Sequence, residues 1–128
     1  MCMFKVDVTL TNPNDRSRAF SEKFWVDTGA LYSFVPEDRL ESIGIEPLRP
    51  RELILADGRR ERRLLGEALF EVVGQEEQLT CQVIFAPKDS LFLLGATALE
   101  AFGLDVDPTT KSLKPMLAVI GGFLASAA

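Results

Sequence analysis

The chain has 128 residues, a net charge of −5, 47% hydrophobic residues and no histidine. This length and composition fit one globular domain with a core of its own and exclude a disordered chain. The missing histidine excludes Ser-His-Asp and Cys-His catalysis and His-containing zinc sites, and the acidic balance argues against a nucleic-acid binder.

The start, Met1-Cys2-Met3-Phe4-Lys5, lacks the basic head and long apolar core of a signal peptide. Together with only two cysteines, Cys2 and Cys81, this leads to the expectation of a reducing cytoplasmic setting, without a disulfide framework or thiolate metal site. Phe4–Leu10 alternates apolar and polar residues and predicts a half-buried strand. The turn formers Thr11–Asp15 reverse the chain into a second strand from about Ala19 to Val26, whose end, Phe24-Trp25-Val26, is apolar on both faces. Pro36–Ile43 predicts a short helix, with Pro36 at its first turn, Leu40 and Ile43 on one face and Gly44 closing it.

Glu52–Leu55 and the run to Val73 flank Ala56-Asp57-Gly58-Arg59, a strong hairpin signal. A turn at Gly74–Glu77 leads into Leu79–Phe85, where Leu79, Cys81, Val83 and Phe85 line one face; Cys81 reads as a small buried hydrophobe rather than a nucleophile. Leu91–Leu94 is an apolar strand ending at Gly95. The spacing Thr97…Glu100 predicts a capping box and a helix to Gly103. Leu104–Asp107 and Lys111–Leu117 pair across Pro108-Thr109-Thr110. The whole reads as one mainly β domain, a closed and mainly antiparallel barrel or sandwich with two short helices. Its core spans about residues 3–117, and the apolar tail 118–128 is too short to span a membrane.

Asp27-Thr28-Gly29-Ala30, preceded by Phe24-Trp25-Val26 and followed by Ser33-Phe34-Val35-Pro36, resembles the active-site loop of the aspartic proteases. Leu93-Leu94-Gly95 and the helix after it resemble that family's psi motif, an apolar strand crossing behind the catalytic loop. Together they are similar to one lobe of the pepsin fold, closest to the single-lobe retropepsin-like proteases of cellular genomes, over residues 3–117. The resemblance implies a closed acid-protease β barrel and an endopeptidase needing no cofactor or metal. In such a site a water lies between two aspartates about 3 Å apart, which share one proton because both cannot ionise cheaply. The ionised carboxylate acts as general base and the protonated one donates to the scissile carbonyl.

This chain has one such aspartate. Asp57-Gly58 and Asp107-Pro108 lack the Thr-Gly of the loop and read as turns. The resemblance therefore implies a homodimer in which Asp27 of each copy meets on a twofold axis. Thr28 then links to the opposite loop, while Gly29 and Ala30 leave room for a peptide or protein substrate. Ala56-Asp57-Gly58-Arg59 corresponds to the flap tip that closes over substrate. Three departures stand against the pattern: Leu31 where the family has Asp, Ala96 where it has Arg, and a flap rich in arginine (Arg59, Arg60, Arg62, Arg63) instead of glycine. The arginine run reads as a solvated hairpin arm, the sharper alternative being a basic lip selecting acidic peptides or a nucleic-acid patch. Without the Asp–Arg pair, the dimer relies on the strand near Met3–Val8 and on Met116–Phe123. The alternative function is a catalytically silent peptide-binding or dimerisation module, with a purely structural β domain behind it.

Overall fold

The computed structural model describes residues 4–117, so Cys2, the Met3 end of the expected edge strand and the tail 118–128 lie outside the described residues. β1 (Lys5–Asn12) turns at Pro13-Asn14 into β2 (Asp15–Val26), with Thr11 opposite Ala19 and a register shift just beyond. β2 thus begins four residues before the predicted Ala19. Its first residues are fully exposed and polar, so no alternation marks them, but Asn12 Oδ1 and Asp15 Oδ1 accept the N–H groups of Asn14 and Ser17 at 2.8 and 3.2 Å and hold the reversal.

β3 (Ser33–Pro36) leads directly into α1 (Glu37–Ser42), which buries Leu40 and is closed by Gly44 in a left-handed conformation at φ 78°. β4 (Arg49–Ile54) and β5 (Arg60–Val72) form the predicted hairpin, and β6 (Gln78–Ala86) returns beside β5. The predicted face of β6 is buried at Cys81, Val83 and Phe85 and half-buried at Leu79. Ile84, on the opposite face, is buried too.

The predicted Leu91–Leu94 strand shrinks to β7 (Leu93–Leu94), and α2 (Ala96–Ala101) comes next. β8 (Leu104–Asp107) and β9 (Ser112–Pro115) form a separate two-stranded ribbon. The fold is mainly β with two short helices. The large sheet runs β1-β2-β7-β3-β6-β5-β4, and β1 also pairs with β5 from Val8 to Thr11, so the pairings return to their start. Most are antiparallel; β2–β7 and β3–β6 are parallel. Within the expected edge strand Met3–Val8 the second pairing of β1 begins only at Val8. Val73 N–H extends that pairing by one hydrogen bond to the Asp7 carbonyl, while Val26 N–H to the Phe4 carbonyl continues the β1–β2 side.

Phe24, Val26, Val35, Phe70, Val83 and Leu94 are buried at the centre. The Phe24 ring meets Phe70 and Phe92 edge-to-face at 6.5 and 5.3 Å, a geometry favoured by the ring quadrupoles. Among the described residues no helix is long and apolar enough to cross a membrane. Phe24→Ala leaves a void where β2 approaches the Asp27 loop and lowers the unfolding free energy by about 3–5 kcal/mol in urea titration; a loss below about 1 kcal/mol would contradict this packing.

Candidate active site: the Asp27 loop and its crossing strand

β7 lies between the two strands that flank the Asp27 loop. It runs parallel to β2, with Trp25 opposite Leu93 and Val26 opposite Leu94, and antiparallel to β3, with Phe34 opposite Leu93. The chain from Asp27 to Tyr32 must therefore pass around the end of β7. Asp27 N–H donates to the Leu94 carbonyl at 3.0 Å, which fixes the base of the loop, and Ala30 N–H closes back on the Asp27 carbonyl at 3.3 Å.

The exit from β7 supplies the rest of the support. Helix first turns carry N–H groups with no partner inside the helix. In α2 these go to the loop: Ala96 N–H donates to the Ala30 carbonyl at 2.7 Å, and Thr97 N–H to the Leu31 carbonyl at 2.9 Å. Thr97 Oγ1 donates to that same Leu31 oxygen at 2.9 Å. This corrects the predicted capping box. The helix begins at Ala96 with Gly95 as its N-cap and no side-chain cap, because the Thr97 hydroxyl is committed to the loop.

Gly95 is required by close approach. A Cβ there would overlap the Tyr32 carbonyl and come within 3.0 Å of the Ala30 oxygen, both of them backbone. Its N–H donates to Ser33 Oγ at 3.0 Å, and Ser33 is wholly buried. Sequence reasoning does not single out Ser33 as a site residue; its signal is a lone hydroxyl heading the apolar run Phe34-Val35.

The Asp27 side chain is half-buried at the rim. Its Oδ1 accepts the Gly29 N–H at 2.9 Å, and among the described residues Oδ2 accepts no hydrogen bond. A carboxylate oriented by one backbone donor, with the other oxygen open, is able to accept a proton from water or to donate one when protonated. Thr28 and Gly29 are exposed beside it, and Ala30 is half-buried. Leu31 is 60% exposed, an apolar group presented outward at the loop's far side.

The loop and Leu93-Leu94-Gly95 are brought together; the tip Ala56-Asp57-Gly58-Arg59 is not. A Cβ at Gly58 would meet nothing within 4 Å, and Gly58 has φ 86°. Asp57 receives the Arg59 backbone N–H at 3.0 Å and the Arg59 guanidinium at 2.6 Å. Those two donors, the backbone one first, lower its pKa. Asp107 likewise accepts from Thr110 and Thr109, which lower its pKa. Both carboxylates hold turns, as expected, and neither partners Asp27.

The arm of the hairpin, not its tip, reaches the site region. Leu53 and Leu55 line a small cleft of about 120 Å³ with Phe34, Ala86, Pro87 and the arm residues Glu61 and Arg63, and the Arg51 guanidinium lies 5.7 Å from the centre of the Tyr32 ring. Two larger clefts, about 550 and 590 Å³, contain none of the loop residues. Burial pushes the Cys81 thiol up to about 11, which leaves it protonated and unreactive. Among the described residues no three His, Cys, Asp or Glu side chains are grouped as metal ligands.

No protein-family model matches the chain, and a search of curated proteins returns no match. Ser33→Ala removes the partner of a buried N–H and lowers stability by about 1–3 kcal/mol in chemical denaturation. Gly95→Ala costs more than Ser33→Ala, since backbone must move; equal or smaller loss at Gly95 would contradict the crossing of β7 behind the loop.

Proposed function

We propose that the chain is an aspartic endopeptidase that acts as a homodimer, with Asp27 of each copy forming the catalytic pair. The observation that carries this reading is the held Asp27 loop. Its carboxylate is oriented by Gly29 N–H, and its carbonyls are taken up by the first turn of α2 behind a strand crossing between β2 and β3. That arrangement, together with Asp27-Thr28-Gly29-Ala30 and Leu93-Leu94-Gly95, supports a retropepsin-type lobe. The return of the pairings from β5 to β1 supports its closure into a barrel.

One chain brings one such carboxylate, and peptide hydrolysis by this route needs two. The ionised member takes a proton from the bound water, while the protonated member donates to the carbonyl oxygen of the scissile bond. Water attacks directly, so no covalent enzyme intermediate forms and no histidine is needed. Exposed Thr28 and Gly29 fit contact with the opposite loop and with substrate backbone. The hairpin bearing Ala56–Arg59 serves as the flap. Exposed Leu31 fits an apolar contact between subunits where an ion pair would otherwise lie. The uncharged Leu31 and Ala96 also favour a second reading, a peptide-binding or dimerisation module without turnover.

Asp27→Asn keeps the far-ultraviolet circular dichroism and melting temperature of the wild type and lowers peptide cleavage by more than about 100-fold. Wild-type specific activity also falls on dilution, in step with the dimer fraction measured by sedimentation. Cleavage retained in Asp27→Asn, or specific activity independent of concentration in a monomeric sample, would contradict the proposal.

A further inference from the structure

The inner face of the β4–β5 hairpin carries a charge arrangement that folding alone does not account for. Arg51 and Arg63 are directly paired across the ladder, so their side chains share one face, together with Arg49, Leu53, Glu61 and Leu65. Like charges at such a position repel. Arg63 is fully provided for: its Nε donates to the Phe85 carbonyl at 2.8 Å, and its other nitrogens face Glu37 and Glu61 at 3.4 and 3.5 Å. Arg51 has none of this. Among the described residues no carboxylate lies within ion-pair distance of it, its Nε is buried without a hydrogen-bond partner, and its guanidinium rests above the Tyr32 ring at 5.7 Å.

The position of this cation gives it a use. Tyr32 is the fifth residue after Asp27, and Phe34, two residues further on, lines the small cleft together with Leu53 and Leu55. Arg51 therefore stands at the same wall as the small apolar cleft, one residue pair nearer the Asp27 loop. A guanidinium held by an aromatic face is pre-oriented and presents its fork to a planar carboxylate. Half-buried and beside another arginine, it gains more from an anionic ligand than a solvated surface cation would.

We propose that Arg51 is a specificity-determining residue that binds the carboxylate of an Asp or Glu side chain in a peptide lying along the Asp27 loop. The proposal takes the path of the peptide from the endopeptidase reading, but it does not require turnover.

The test uses peptide pools that differ only in Glu or Gln fixed at a single position, scanned through each position in turn. Binding is read by fluorescence anisotropy on the Asp27→Asn chain and cleavage on the chain with Asp27 intact, each with and without Arg51→Gln and Arg51→Lys. At one position the Glu pool is expected to bind at least about tenfold more tightly than the Gln pool, as for a hydrogen bond to a charged group. That ratio falls toward one in Arg51→Gln and recovers in part in Arg51→Lys, and circular dichroism establishes that each variant is folded. An Arg51-dependent Glu preference in binding, with no pool cleaved, sustains this inference and removes the endopeptidase reading. Cleavage whose Glu-to-Gln ratio is unchanged by Arg51→Gln overturns this inference and leaves the endopeptidase reading in place. Absence of both binding and cleavage overturns both.

Discussion

Everything at the candidate site depends on two residues, Leu93 and Leu94, being gripped from both sides. β7 is too short to hold itself, yet it pairs with β2 on one flank and β3 on the other, and Leu94 is fully buried. Because the chain joining β2 to β3 must round its end, the Asp27 loop has no freedom to splay. The loop's polar backbone is absorbed by β7 and α2: Leu94 receives Asp27 N–H, and α2 gives its first N–H groups to Ala30 and Leu31. Buried or half-buried backbone groups left unpaired would each cost free energy. Here one crossing satisfies the helix start and the loop together, leaving the Asp27 carboxylate positioned but only singly bonded.

That economy divides the molecule into a fixed floor and a projecting arm. The floor consists of β2, β7, β3 and the start of α2, sealed by the Ser33–Gly95 hydrogen bond. The arm is the β4–β5 hairpin, whose Gly58 tip stands in open space while Arg63 ties it to Phe85 of β6 and Glu37 of α1. In the proposed dimer such an arm closes over a bound peptide while the floor holds Asp27 in register. Arg51 belongs to the arm and Asp27 to the floor, so the proposed substrate selection and the proposed proton transfer rest on different elements.

Much of this is legible in the residue pattern because period-two alternation and turn chemistry are local signals. The alternating run of β1, the Asp57-Gly58 turn, the Gly44 helix end and the buried face of Cys81, Val83 and Phe85 all stand where the sequence places them. What is not legible depends on contacts distant in sequence. Thr97 and Glu100 carry the spacing of a capping box, but Thr97 instead bonds Leu31, 66 residues away. The second pairing of β1, with β5 from Val8 to Thr11, leaves no mark on its local pattern. Asp15–Arg18 is all polar and exposed, and its place in β2 shows only through the pairs that flank the register shift, Asn12 with Asp15 and Thr11 with Ala19. Ser33 and Arg51 are single residues of common types, and only burial and missing partners distinguish them.

Catalysis by the proposed route needs one Asp27 from each of two chains. Titrating a fixed amount of wild-type chain with a rising excess of Asp27→Asn chain measures this directly, since exchange moves wild-type subunits into mixed dimers with a single aspartate. Peptide cleavage is predicted to fall toward zero as the variant comes into excess. Cleavage that stays constant, although subunit exchange is demonstrated by mass, would contradict the shared pair.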